Sequence, residues 1–188
     1  ALRMAGVYGD AAPPALRSVC AVSPPIDLAR AAEEIERRAN AIYQRDFLRD
    51  LKARMQRKAA LFPDRYSVEH LDRIRTIREF DNRYTAPHFG FRDADDYYRR
   101  ASAIAVVDRI EVPTLIVSAK DDPFIPAVPL EDPAVASNPH IRVVLTRWGG
   151  HCGFIERKGS RADGDRYWAE RQAVAFAQIH AQAGYRRT

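Results

Sequence analysis

Two short stretches hold the residues best suited to chemistry. In "PTLIVSAKDDPFIP" the neighbours Asp121 and Asp122 follow directly on an apolar run, and Pro123 and Pro126 stiffen the loop that holds them. In "IRVVLTRWGGHCGF" His151 follows a second apolar run and sits among Gly149, Gly150 and Gly153. An aspartate that accepts from one imidazole nitrogen fixes the ring's tautomer and stabilises its charged form, which frees the other nitrogen to act as a base. Glycines beside the ring let a nucleophile come close. Taken singly, Asp-Asp-Pro is also a turn starter and a histidine is often a satisfied core residue. The pairing favours chemistry: an aspartate after one run, a histidine after the next. It describes a catalytic triad that lacks its nucleophile.

For that pair to meet, the two runs must be neighbouring strands whose ends share one edge of a sheet. "PTLIVSA", "IRVVLT" and the earlier "SVCAV" are short and apolar on both faces, the pattern of buried parallel strands. Helical segments lie between and after them, and the alternation predicts a layered α/β fold. In such sheets functional side chains gather beyond the carboxyl ends of the strands.

The remaining segments are helical or irregular. Leu2, Met4, Ala5 and Tyr8 form the apolar side of a first helix, stopped by Gly9 and Pro13-Pro14, and this opening reads as a chain cut into. A long insertion runs from residue 27 to 110, with Asp27 as N-cap of its first helix. Tyr43, Phe47, Leu51 and Met55 repeat every four residues and predict one packed helix face, with Arg45, Arg49, Lys52 and Gln56 on the others. A further helix is expected around "DADDYYRRAS". The tail "DRYWAERQAVAFAQIHAQAG" reads as an amphipathic helix packed through Tyr167, Trp168, Val174, Ala175 and Ile179.

Composition narrows the classes. No apolar run approaches the ~18–20 residues needed to span a bilayer. Cys20 and Cys152 are too few for a disulfide framework and read as reduced thiols of a cytoplasmic protein. The net charge of +5 comes from arginines interleaved with Asp and Glu, a solvated surface rather than a specific nucleic-acid footprint. No Cys/His spacing suits a metal, and neither a metal nor an organic cofactor is expected.

"SPPIDL", "YQRDFLRDLK", "REFDNRYTAPHFGFRDADDYYRRAS", "PTLIVSAKDDPFIP" and "GGHCGF", in this order, resemble the YheT-like branch of the α/β-hydrolase superfamily, a group of predicted esterases. The resemblance runs from about Ala1 to Ala181 and implies the C-terminal part of an α/β-hydrolase fold. Its core would be residues 1–26 and 111–188, with a helical cap at 27–110. It also implies a Ser-Asp-His triad acting on carboxylic esters, with His151 as base and Asp122 as acid, Asp121 being the runner-up. The nucleophile of that fold sits in a G-x-S-x-G elbow, which the chain lacks, so the serine is expected upstream of Ala1 and the chain alone is expected to be inactive. An open sheet edge along "SVCAV" also predicts instability or association of the isolated chain.

Substrate choice would rest on the cap. Tyr84, His88, Phe89 and Phe91, with Tyr97 and Tyr98, offer an aromatic wall, and the Arg45–Lys58 helix offers positive charge. An ester or lipid with an acyl chain and an anionic head would suit both, as would peripheral contact with an anionic lipid surface; the competing reading is that these aromatics only pack the cap to the core. Two other functions stay open: an acyltransferase using the same triad, and a non-catalytic basic binding module. Oligomeric state is left undetermined.

Overall fold

The computed structural model describes residues 1–158 and 165–183. In chain order its elements are α1 (Leu2–Tyr8), β1 (Val19–Val22), α2 (Leu28–Ile35), α3 (Ala41–Leu61), α4 (Ile77–Phe80), α5 (Ala86–His88), α6 (Ala94–Ala101), β2 (Thr114–Ala119), α7 (Pro133–Ala136), β3 (Ile141–Thr146) and α8 (Trp168–Ala183). They form two compact units, Ala1–Leu28 with Ala101–Thr188, and Ala29–Arg100.

The first unit is built on a parallel sheet in the order β1-β2-β3. Ala119 pairs with Thr146, so β2 and β3 end together, whereas β1 ends at Val22, opposite Val117. Only β2, the central strand, is buried along its whole length; β1 and β3 are edges and most of their residues are half-buried. The edge at β1 is the open edge expected along "SVCAV"; the reading of β3 as a buried strand is corrected, because an edge strand has a neighbour on one side only. One face of the sheet packs on α1 and the turns that follow residue 101, with Leu2, Ala5, Val107, Ile110 and Ile116 in its core. The other face packs on α8 through Leu115, Val117, Ala119, Phe154 and Ala169.

Residues 101–110, which the sequence reading places in the insertion, belong to this unit. Val107 is 0% exposed and Ile110 1%, both against α1 and the sheet. The first helix also differs from expectation. Its buried residues are Leu2, Ala5 and Gly6, whereas Met4 and Tyr8 are exposed. Gly6 faces the Val106 backbone, where a Cβ would lie 2.2 Å from the carbonyl oxygen. In the tail, Trp168, Ala169 and Phe176 pack, while Tyr167, Val174, Ala175 and Ile179, also expected to pack, are exposed.

The second unit is helical. Thr76 caps α4 by accepting from the Glu79 amide at 3.1 Å, and Glu79 accepts in return from the Arg75 amide at 2.6 Å. A π-helical turn, Asp81–Thr85, joins α4 to α5. The core gathers Leu48, Met55, Leu71, Ile74, Phe80 and Tyr84. Tyr43 and Phe47 were expected on the packed face of α3 but are exposed. A strict four-residue repeat drifts by about 40° per step around a 3.6-residue helix, so Tyr43 and Met55 cannot share one stripe. The stripe that packs runs through Leu48, Leu51 and Met55.

Candidate active site

The sheet decides where the chemistry sits. β2 ends at Ala119 and β3 at Thr146, paired residues in the register, so the loops after them leave side by side. The Lys120 amide donates to the Thr146 carbonyl at 2.9 Å, extending the ladder one residue into the aspartate loop. The chain then turns, with the Asp122 amide donating to the Ala119 carbonyl at 3.3 Å.

This turn buries the Asp122 carboxylate completely, at 0% side-chain exposure. Its Oδ1 accepts from the amides of Phe124 at 2.9 Å and Ile125 at 3.0 Å. Its Oδ2 lies 3.0 Å from His151 Nδ1. A buried charge is tolerated only when hydrogen-bonded, and here both oxygens are engaged. The imidazole itself is 40% exposed. The Phe124 ring stands edge-on to it, with centroids 5.2 Å apart at 76°. With Nδ1 committed to Asp122, Nε2 is the nitrogen that can take and return a proton.

The histidine loop is held separately. Asp121 Oδ1 accepts from the Gly150 amide at 2.9 Å, and the Phe154 amide donates to the Gly149 carbonyl at 3.0 Å. Gly150 has φ +58°, the left-handed region that favours glycine. At Gly149 the constraint is space, because a Cβ would stand 2.6 Å from the Phe154 ring. Farther along, Arg171 donates to Glu156 at 2.6 Å and to Asp165 at 3.0 Å, and Ile155 bridges to Tyr167, so the segment leaving the loop is tied back. Beside the histidine, the exposed Cys152 has its thiol pKa raised by partial desolvation and then by the charge of Asp122.

Both aspartates therefore serve the loop after β3, a division of labour that residue types alone left open. Sequence reasoning passed over Ser23. It follows β1 directly, its φ is +45° and it is 3% exposed, and its hydroxyl has no hydrogen-bond partner among the described residues. A small polar residue between a strand and "PP" was the available signal.

In the second unit, Tyr84, His88 and Phe89 line one cavity of about 580 Å³. Tyr66, which the sequence reading did not single out, joins them, its ring 5.3 Å from that of His88. Phe91 is not in this lining. It stacks with Tyr97 at 5.3 Å and with the Arg100 guanidinium at 4.7 Å, and Tyr98 donates its hydroxyl to Asp81 at 2.6 Å. The expected aromatic wall is thus two clusters, because Phe91 and the tyrosines of α6 pack on each other. Among the described residues no group of His, Cys, Asp or Glu could hold a metal ion, and no helix is long and apolar enough to cross a membrane.

Comparison with known proteins adds relatives. No family model matches the chain. It is 41% identical over 136 residues to YheT of Escherichia coli, a match covering 71% of this chain and 40% of YheT. To the phospholipase ABHD3 of Mus musculus it is 35% identical over 128 residues, 66% of this chain and 31% of that protein. To the monoacylglycerol lipase of Saccharomyces cerevisiae it is 36% identical over 103 residues, 54% and 22% of the two chains. The chain therefore spans less than half the length of the relatives it matches.

Proposed function

Because the chain belongs to the YheT-like branch of the α/β-hydrolase superfamily and spans the C-terminal part of that fold, we propose that Asp122 and His151 are the acid and base of a Ser-Asp-His triad that hydrolyses carboxylic esters. The nucleophilic serine is contributed by sequence upstream of Ala1. Residues 1–28 and 101–188 belong to the hydrolase core, and residues 29–100 are its helical cap. The observation behind this reading is the 3.0 Å contact between His151 Nδ1 and a fully buried, doubly hydrogen-bonded Asp122 at the carboxyl edge of the sheet.

The serine Oγ gives its proton to His151 Nε2 and forms a bond to the ester carbonyl carbon. The resulting oxyanion is stabilised by backbone amides, an effect worth roughly 3–4 kcal/mol for each donor. Collapse of this intermediate breaks the ester C–O bond, and the leaving alkoxide takes the proton from Nε2. Water then gives a proton to Nε2 and attacks the acyl carbon. Serine leaves with that proton, and the carboxylic acid is released. Asp122 remains ionised throughout and stabilises the imidazolium in both halves.

The relatives named phospholipase and monoacylglycerol lipase support an ester with an acyl chain as substrate. The test is hydrolysis of a chain-length series of p-nitrophenyl esters by this chain and by a version extended upstream through the elbow. Activity in the extended form alone, abolished in His151→Ala, is the expected result. Activity in the short chain would place the nucleophile among these residues and overturn the account of the serine, and no activity in either would overturn the hydrolase reading.

A further inference from the structure

The second unit holds a cavity whose chemistry is divided. Its floor is apolar: Met55 is 8% exposed, Phe80 5% and Tyr84 9%, with Leu51 partly buried beside them. The one polar atom of that floor, the Tyr84 hydroxyl, already donates to the Glu69 carbonyl at 2.9 Å. Nothing there is left to recognise a polar body. Its volume of about 580 Å³ lies within the roughly 300–1,000 Å³ of small-molecule sites.

The rim is cationic. Arg54 and Lys58 stand one turn apart on α3, Arg65 follows that helix, and Arg83 comes from the π-helical turn. The lining contains a single carboxylate, Glu69, and it is shared between His70 at 3.0 Å and Arg83 at 3.9 Å. Lys58 lies over the Tyr66 ring at 5.2 Å. Neither Arg54 nor Arg65 has an ion-pair partner among the described residues. Elsewhere in the unit Arg49 is paired with Asp46 and Asp50, and Arg99 and Arg100 with Asp96.

We propose that this cavity binds a single-chain amphiphile with an anionic head, its hydrocarbon chain on the Leu51–Met55–Phe80–Tyr84 floor and its head on Arg54 and Arg65. An oxyanion presented to two guanidinium groups gains charge-assisted, bidentate hydrogen bonds, while the chain leaves water for the floor. Such a ligand is what an acyl-ester hydrolase consumes or releases, so the proposal deepens the reading above and rests on it for its place in catalysis. The binding itself needs neither serine nor histidine.

Equilibrium dialysis of dodecanoate, dodecanol and acetate against the chain tests it. Dodecanoate should bind at least about tenfold more tightly than dodecanol, and acetate should bind far more weakly than either. Arg54→Gln combined with Arg65→Gln should erase the preference for dodecanoate and leave dodecanol unchanged. Both residues are exposed, and an unaltered melting curve confirms that the fold survives. Arg57→Gln, an exposed cation of α3 outside the cavity, should change nothing. Equal affinity for dodecanoate and dodecanol, or an equal loss in Arg57→Gln, overturns the proposal. His151→Ala separates the two readings. Retained binding without ester hydrolysis in any extended form sinks the hydrolase reading alone, and hydrolysis without binding sinks this one alone.

Discussion

The Asp121 carboxylate accepts the Gly150 amide at 2.9 Å, one residue from the place where Asp122 meets His151 at 3.0 Å. Two consecutive aspartates of one loop thus hold two consecutive residues of the next. One contact fixes the backbone of the histidine loop and the other fixes the ring. The parallel register of β2 and β3 makes this possible, because both strands end at the paired residues Ala119 and Thr146.

Asp122→Asn should leave the fold intact and remove catalysis. The asparagine carbonyl can still accept from the amides of Phe124 and Ile125, which turns its NH₂ toward His151. Nδ1 must then accept and Nε2 must hold the proton, the wrong tautomer for a base. In a form that includes the serine, kcat should fall by about 10⁴, with an unchanged thermal midpoint. A drop below tenfold would remove Asp122 from the proposed acid role.

The two glycines before His151 should respond unequally. Gly149→Ala puts a Cβ 2.6 Å from the Phe154 ring and 3.0 Å from Ala119, and overpacking of that kind costs about 1–3 kcal/mol. Gly150→Ala meets no atom within 4 Å, but φ there is +58°, a penalty of about 1 kcal/mol. Denaturant titration should therefore rank Gly149→Ala as the more damaging change, and the reverse order would contradict the packing described here.

Cys152 should alkylate slowly near neutral pH. Partial desolvation of this exposed residue's thiol and the charge of Asp122 raise its pKa, so less thiolate is present than in free cysteine at the same pH. Its reaction with iodoacetamide, followed by mass spectrometry at that site, should keep accelerating at pH values where free cysteine has levelled off. Asp122→Asn should speed the reaction at pH 8 by removing one of the two causes. A rate equal to that of free cysteine would contradict this environment.

Ser23→Gly should stabilise the protein. The substitution removes a buried hydroxyl without a partner among the described residues and relieves a left-handed backbone at φ +45°. Together these outweigh the added chain entropy of glycine, for a gain of about 1 kcal/mol in the unfolding free energy. A loss of stability would mean that the hydroxyl is bonded in solution.

Much of the first unit was legible from sequence because its signals are local. Each strand is a short apolar run, and each candidate catalytic residue follows one within a few residues, so "TLIVSAKDD" and "IRVVLTRWGGH" already placed Asp122 and His151 just beyond strand ends. The glycines around His151 likewise announced a close approach, although not that Gly149 makes room for Phe154 rather than for a nucleophile.

What the tertiary structure decided depends on residues far apart in the chain. The order β1-β2-β3 made β2 alone fully buried, and no local pattern distinguishes a central strand from an edge. Residues 101–110 joined the first unit because Val107 and Ile110 fill space against α1. In α3 a four-residue repeat suggested Tyr43 and Phe47, whereas packing chose Leu48, Leu51 and Met55, since the helix turns away from a strict repeat of four. The roles of Asp121 and Asp122 were divided only when a second loop approached, because a carboxylate's partner is set by the backbone that reaches it. Sequence determined which residues could do chemistry; folding determined which of them touch.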